Sequence, residues 1–247
     1  MVTAARTAGV PAVVGNEFRW APDRAAIGRA IAEGAIGEPR LATLVSSVSL
    51  VADPQTRMPA WWFDPAAGGG WLLASGSHVV DQVRSWLGEF ESVSAALPHV
   101  SDRESASAED SFLIRFRLKS GVDGVLLQSG GAWGPTVGLT VVAGSAASIG
   151  IDESGPWIAD RAGRRPLPIA DDLVLPPVAE SAAPAERFSH LELGPYTRLC
   201  EALFAMVEGR DPQSAVPVPT FADGLAHMRV LDAVRASAAD NGRVVAV

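Results

Sequence analysis

From about residue 91 to residue 160, hydrophobic side chains recur at every second position, and this period limits the folds open to the chain. In "SFLIRFRLKSG", Phe112, Ile114, Phe116 and Leu118 share one face, while Arg115, Arg117 and Lys119 share the other. A strand with one buried face requires this alternation, because successive side chains point to opposite sides of a sheet. "GVLLQSG", "VGLTVVAG" and "ASIGID" follow after short glycine-bearing turns. Strands joined by short turns pair antiparallel, since a parallel pair needs a long crossover.

Helical periods flank this region. "PDRAAIGRAIAEGAIG" starts with Pro22, carries Ala26, Ile27, Ala30 and Ile31 on one stripe, and meets a stop at Gly34. Before it, residues 2–9 read as a short helix and "PAVVGNEF" as a strand; after it, 40–51 is β-rich. A long loop from Ala52 to Gly70 precedes a helix with Val79, Val80, Val83, Trp86 and Leu87 at helical spacing, closed by Gly88. Residues 161–187 read as a surface loop. "PYTRLCEALFAMVEG" predicts a helix with Pro195 at its first position and Tyr196, Leu199, Leu203, Phe204 and Val207 on its apolar face. Thr220 and Asp223 form a capping-box pair for a last helix, whose stripe is Phe221, Leu225, Met228, Leu231 and Val234. "RVVAV" is a final strand. The predicted fold is α+β: an open, mainly antiparallel sheet with helices packed on one face.

Composition removes several classes of function. Across 247 residues the formal net charge is -8, which disfavours nucleic acid as a partner, because phosphate binding needs a basic face. No apolar run reaches the ~18 residues that would span a bilayer. Cys200 is the single cysteine, so no internal disulfide forms, compatible with a cytoplasmic location. His99, His190 and His227 are isolated in sequence, no pair has metal-ligand spacing, and no metal is expected.

The chemistry-bearing stretch is "GGGWLLASGSHVVDQ", residues 68–82. Two readings stand for His78. At a helix start the dipole keeps an imidazole neutral and able to accept a proton from a substrate hydroxyl; alternatively, it hydrogen-bonds within a corner of the fold. Gly68, Gly69 and Gly70 either let backbone approach a substrate or make a turn. Trp61, Trp62 and Trp71 flank the run; they stack on sugar rings or fill a core. Arg19 contacts an anionic group or sits on a surface turn, and Asp81 either joins the site or is structural. Ser75, Ser77, His78 and Asp81 do not make a serine hydrolase, for there is no G-x-S-x-G elbow.

Four stretches in order, "GNEFRWAPDRAAIGRAIAEGAIGEPRLATL", "GGGWLLASGSHVVDQVRSWLGE", "LTVVAGSAASIGID" and "VPTFADGLAHMRVLDAVRASAADNGRVVAV", resemble the C-terminal half of the Gfo/Idh/MocA superfamily. The resemblance implies an NAD(P)-dependent dehydrogenase acting on a sugar- or polyol-like CH–OH group, with a Rossmann domain for NAD or NADP and a second domain that binds substrate and forms a homodimer or larger oligomer through its sheet. Residues 1–15 resemble only the last helix and strand of the Rossmann domain, and 16–247 the second domain. The dinucleotide spacing G-x-G-x-x-G is absent: Gly68 and Gly70 fit its start, but Leu73 occupies the third place. No tight NAD(P) binding is therefore expected of this chain alone. The family's catalytic set is a lysine in Glu-Lys-Pro, an aspartate, and a histidine four residues later. Here the lysine motif is missing, Ala74 replaces the aspartate, and His78 remains. The expectation is the truncated, substrate-binding and oligomerising part of an oxidoreductase, with His78 catalytic and Arg19, Trp61, Trp62, Gly70, Trp71 and Asp81 around the substrate. The alternative is a non-catalytic binding or oligomerisation module.

Overall fold

The computed structural model describes residues 1–103, 107–175 and 189–247, with Ser189 and His190 described by backbone alone. Its strands are β1 (Pro39–Ser47), β2 (Phe90–Ala96), β3 (Ser111–Leu118), β4 (Asp123–Ser129), β5 (Val137–Gly144), β6 (Ser148–Asp152), β7 (Gly155–Asp160), β8 (Gly163–Pro166) and β9 (Val245–Ala246). They form one sheet in the order β8-β7-β6-β5-β1-β4-β3-β2-β9. The alternation does what it predicted: Phe112, Ile114, Phe116 and Leu118 are buried on one face of β3, and Leu113 is exposed on the other. Helices α1 (Val2–Ala8), α2 (Pro22–Ala32), α3 (Ser77–Leu87), α4 (Ser189–Val207) and α5 (Phe221–Ala239) complete the fold. The fold is α+β, with α5 lying on β2, α2 on β6 and β7, and α3 between α2 and α5.

Several expectations need correction. β1 pairs parallel with β4, from Leu41↔Asp123 to Ser47↔Ser129, and antiparallel with β5. Local periodicity carries no trace of this, because the crossover runs through α3 and two further strands. "PAVVGNEF" is no strand; it contributes a single bridge, Val13↔Thr220, then a 3₁₀ turn over Glu17–Trp20. The stretch 161–187 includes β8 and a 3₁₀ turn, while 176–188 lies outside the described residues. Pro195 stands inside α4 rather than at its start. The stripes assigned to the last two helices are also only partly buried. Leu199, Leu231 and Val234 face the core, but Tyr196, Phe204, Val207, Leu225 and Met228 are exposed. The capping box of Thr220 and Asp223 is present as expected.

The face of the sheet away from the helices carries an apolar row. Leu113 opposes Leu127, Leu127 opposes Val45, and Val45 opposes Leu139, so the row crosses β3, β4, β1 and β5. Beside it run Arg115 and Arg117, the latter paired with Asp123 at 2.8 Å. Among the described residues, no helix is long and apolar enough to cross a membrane.

Close packing on the helical side leaves little room at the β5–β6 corner. A Cβ at Gly144 would lie 2.2 Å from the carbonyl oxygen of Ile36, itself fully buried. Gly144→Ala is expected to cost about 1–3 kcal/mol through overpacking. A urea titration should show a lower midpoint with an unchanged slope.

Candidate functional site

Residues 68–82 build two adjoining sites from one helix. The helix begins at Trp71, passes through a π turn over Leu72–Gly76 and continues as α3. His78 therefore sits about 10 Å, or seven residues at 1.5 Å each, from the true N-terminus. The dipole expected to act on it falls off within the first turn and does not reach it.

Glu109 caps that N-terminus. Its carbonyl accepts the Trp71 N–H at 2.8 Å and its carboxylate accepts the Leu72 N–H at 3.1 Å. Gly70, at φ 104, makes room for the cap: a Cβ there would meet the Glu109 carboxylate at 2.2 Å. Gly69 packs equally tightly on the carbonyls of Trp61 and Trp62. The Trp61 and Trp62 rings lie 5.8 Å apart and those of Trp62 and Trp71 6.1 Å apart. Trp62 and Trp71 line a pocket with Val51, Phe63, Glu109 and Asp110, and Trp61 is exposed beside it. The buried Trp71 indole N–H has no partner among the described residues.

The second site surrounds His78, in a recess lined by Phe18, Arg19, Arg24, Asp81, Gln82 and Trp86. Arg19 Nε donates to both oxygens of Asp81 at 3.1 and 2.9 Å, its Nη2 donates to Oδ1 at 2.6 Å, and its Nη1 donates to the Pro217 carbonyl at 3.1 Å. Both side chains are nearly sealed from solvent, at 6% and 4% exposure. His227 Nε2 approaches Asp81 Oδ1 to 3.0 Å without a well-aligned hydrogen bond. Burial would push the Asp81 carboxyl up, but His227 and Arg19 together hold it below the usual carboxylate range.

His78 meets Phe18 edge-on at 4.9 Å between ring centroids. Burial, helped by the positive charge of Arg24, pulls its pKa down to about 4, so the ring is neutral near pH 7. Its Nδ1 is buried without a partner. The aspartate that the family pattern places four residues earlier is Ala74 here. Ser75 donates to Gln128 and Ser77 to the Leu73 carbonyl, so neither serine serves the histidine.

The structure thus brings His78, Arg19 and Asp81 together, and gathers Trp61, Trp62, Gly70 and Trp71 at the other end of the same helix. Sequence reading missed Arg24, His227 and Glu109. The spacing of Asp223 and His227, one turn apart on a capped helix, is the only local signal for any of them. Among the described residues, no group of three or more His, Cys, Asp or Glu side chains is arranged to hold a metal.

A sequence profile of the GFO/IDH/MocA C-terminal domain matches residues 25–150, just over half of the chain. This α+β domain belongs to the GFO/IDH/MocA family. It is 33% identical over 123 residues to 1,5-anhydro-D-fructose reductase of Ensifer adhaerens, covering 49% of this chain and 36% of that protein. To D-apiose dehydrogenase of Paraburkholderia graminis it is 31% identical over 134 residues, covering 51% and 32%. The chain spans about a third of the length of these curated relatives in these matches. Among solved structures, an oxidoreductase domain protein from Kribbella flavida superposes with TM-score 0.78 at 24% identity, over 99% of this chain and 68% of that one. Levoglucosan dehydrogenase in complex with NADH and L-sorbose gives 0.76 at 22%, over 96% and 66%. At these identities the superpositions show the fold.

Two stability predictions follow from the recess. Asp81→Asn removes the carboxylate that Arg19 grips, leaving it Asp223 at 3.4 Å, and should cost up to about 3–5 kcal/mol in thermal or urea unfolding. An unfolded histidine takes its proton near pH 6.5, whereas folded His78 holds out to about 4. The unfolded chain binds more protons in between, so stability should fall as pH drops from 6.5 to 4, by roughly 2–3 kcal/mol. His78→Gln should flatten that slope.

Proposed function

We propose that this chain is the substrate-binding and oligomerising part of an NAD(P)-dependent cytoplasmic dehydrogenase acting on a sugar- or polyol-like CH–OH group. His78 carries the reading: a neutral imidazole with an unpartnered nitrogen, lining a recess, is equipped to accept a hydroxyl proton. Membership of the family supports it, as do the sugar-directed names of the two curated relatives. The tryptophans at the other end of the helix add flat surfaces on which a sugar ring can stack. On this reading the domain comprises residues 16–247, and 1–15 belong with a nucleotide-binding domain.

The nucleotide itself does not fit the glycine run. Gly69 is packed on backbone carbonyls, and the helix N-terminus beyond Gly70 is occupied by the Glu109 carboxylate. A pyrophosphate placed there would meet like charge instead of free N–H groups. The glycine run is accordingly not assigned to NAD or NADP. This chain alone should show no saturable NADH binding at micromolar concentration by calorimetry.

Ala74 favours a second reading. Without a carboxylate to orient it, His78 could serve a binding module that performs no hydride chemistry. Turnover separates the two. In the protein carrying its nucleotide-binding domain, His78→Ala should lower kcat/KM about 10²–10⁴-fold; if the intact protein turns over no polyol or sugar with either nucleotide, the binding module is the better account.

The apolar row on the open sheet supports a homodimer or larger assembly, because two copies would cover it from both sides. Light scattering at micromolar concentration should report a dimer or larger species. Leu127→Asp should shift it to monomer.

A further inference from the structure

Among the described residues, the Arg24 side chain makes no hydrogen bond and no ion pair. It stands in the first turn of α2, with its Cζ 4.8 Å from the centroid of Phe18. A cation–π contact of this kind does not itself supply a hydrogen-bond acceptor for the guanidinium's five N–H donors. Among the described residues none of them reaches an acceptor, and no carboxylate comes within 4 Å. Asp23, Glu17 and Asp81 act on the guanidinium electrostatically without pairing with it. Asp23 accepts the backbone N–H of Arg24 at 2.8 Å, and Asp81 is held by Arg19. Glu17 is buried, and burial pushes its carboxyl above the ordinary value. Phe18 stands between two groups of opposite need: an unpaired cation on one side and His78 on the other.

We propose that the His78 recess takes a hydroxy acid, its carboxylate held by Arg24 and a carbinol carbon presented to His78 across Phe18. The inference rests on reading the recess as the substrate site, and it names the class of substrate. A guanidinium fork binds a carboxylate through two charge-assisted hydrogen bonds, which a neutral polyol cannot offer. An acyclic polyhydroxy acid carries both features on one chain, a terminal carboxylate and carbinol carbons further along. The charge matters a second time. The groups acting on His78 are Arg24 from α2, Asp81 from its own helix and His227 from α5, and Arg19, paired with Asp81, lines the same recess. Burial is the larger cause of the low His78 pKa and Arg24 the next; a carboxylate on Arg24 offsets that second contribution and moves the imidazole toward being a better proton acceptor.

The test compares D-gluconate with D-glucitol, two six-carbon acyclic chains that differ in the terminal carboxylate. The probe is the NMR signal of the histidine rings in the 247-residue chain, with His78 assigned by its loss in His78→Gln. Gluconate should perturb His78, move its titration upward and bind at least tenfold more tightly than glucitol. Arg24→Gln should erase the difference, and Arg24→Lys should keep part of it; thermal unfolding of each variant checks that the fold survives. If glucitol perturbs His78 and binds as tightly as gluconate, the carboxylate preference is overturned while the substrate site stands. Gluconate binding that survives Arg24→Gln unchanged also overturns it. If neither compound moves the His78 signals at millimolar concentration, the recess is not the substrate site and both readings fall.

Discussion

The Arg19 guanidinium grips both oxygens of Asp81 and the Pro217 carbonyl, and three separate parts of the chain meet at that grip. It ties the 3₁₀ turn after the N-terminal segment to α3, and both to the approach of α5. His227 and Asp223 of α5 stand on its flank. Phe18, one residue from Arg19, is thereby set against His78, and Arg24 against Phe18. Taking two charges out of water is unfavourable unless their geometry is good. Here Nε, Nη1 and Nη2 of Arg19 all donate and both Asp81 oxygens accept, so the pair favours one arrangement of the recess.

Much of the fold was readable because its elements have clean periods. The alternation in β3 and the Thr220–Asp223 capping box describe local structure, and local structure is what period and spacing report. The pairing of β1 with β4 is decided by burial across some eighty residues of sequence, and no window of ten or fifteen contains it. The apolar faces of α4 and α5 were misread for a related reason. Helical periodicity shows that a stripe exists, but tertiary contacts choose which side of it is covered, and Phe204 and Met228 fall on the open side.

The site divides in the same way. His78 stood out by its setting and by family resemblance. Its neutrality was foreseen, but for a cause the structure replaces: the helix begins at Trp71, so burial and Arg24 do what the dipole was expected to do. Arg24 was not singled out, because nothing in its sequence setting marks it. Only its position over Phe18, without a hydrogen-bond acceptor among the described residues, sets it apart, and that is a fact of three dimensions. Gly70 shows the converse. A glycine next to a candidate site suggests access for a ligand, yet here it accommodates the carboxylate that caps the helix.

The central place of β1 has a consequence for how the chain is made. β1 is bordered on both sides by strands that lie much later in the sequence, β4 and β5. During synthesis at 5–20 residues per second, it emerges roughly 4–16 s before β4 exists to pair with it. Through that interval both of its edges are open, and its apolar residues have no sheet to join. Residues 39–47 are therefore the last part of the early chain to be enclosed, waiting for β4 on one edge and β5 on the other.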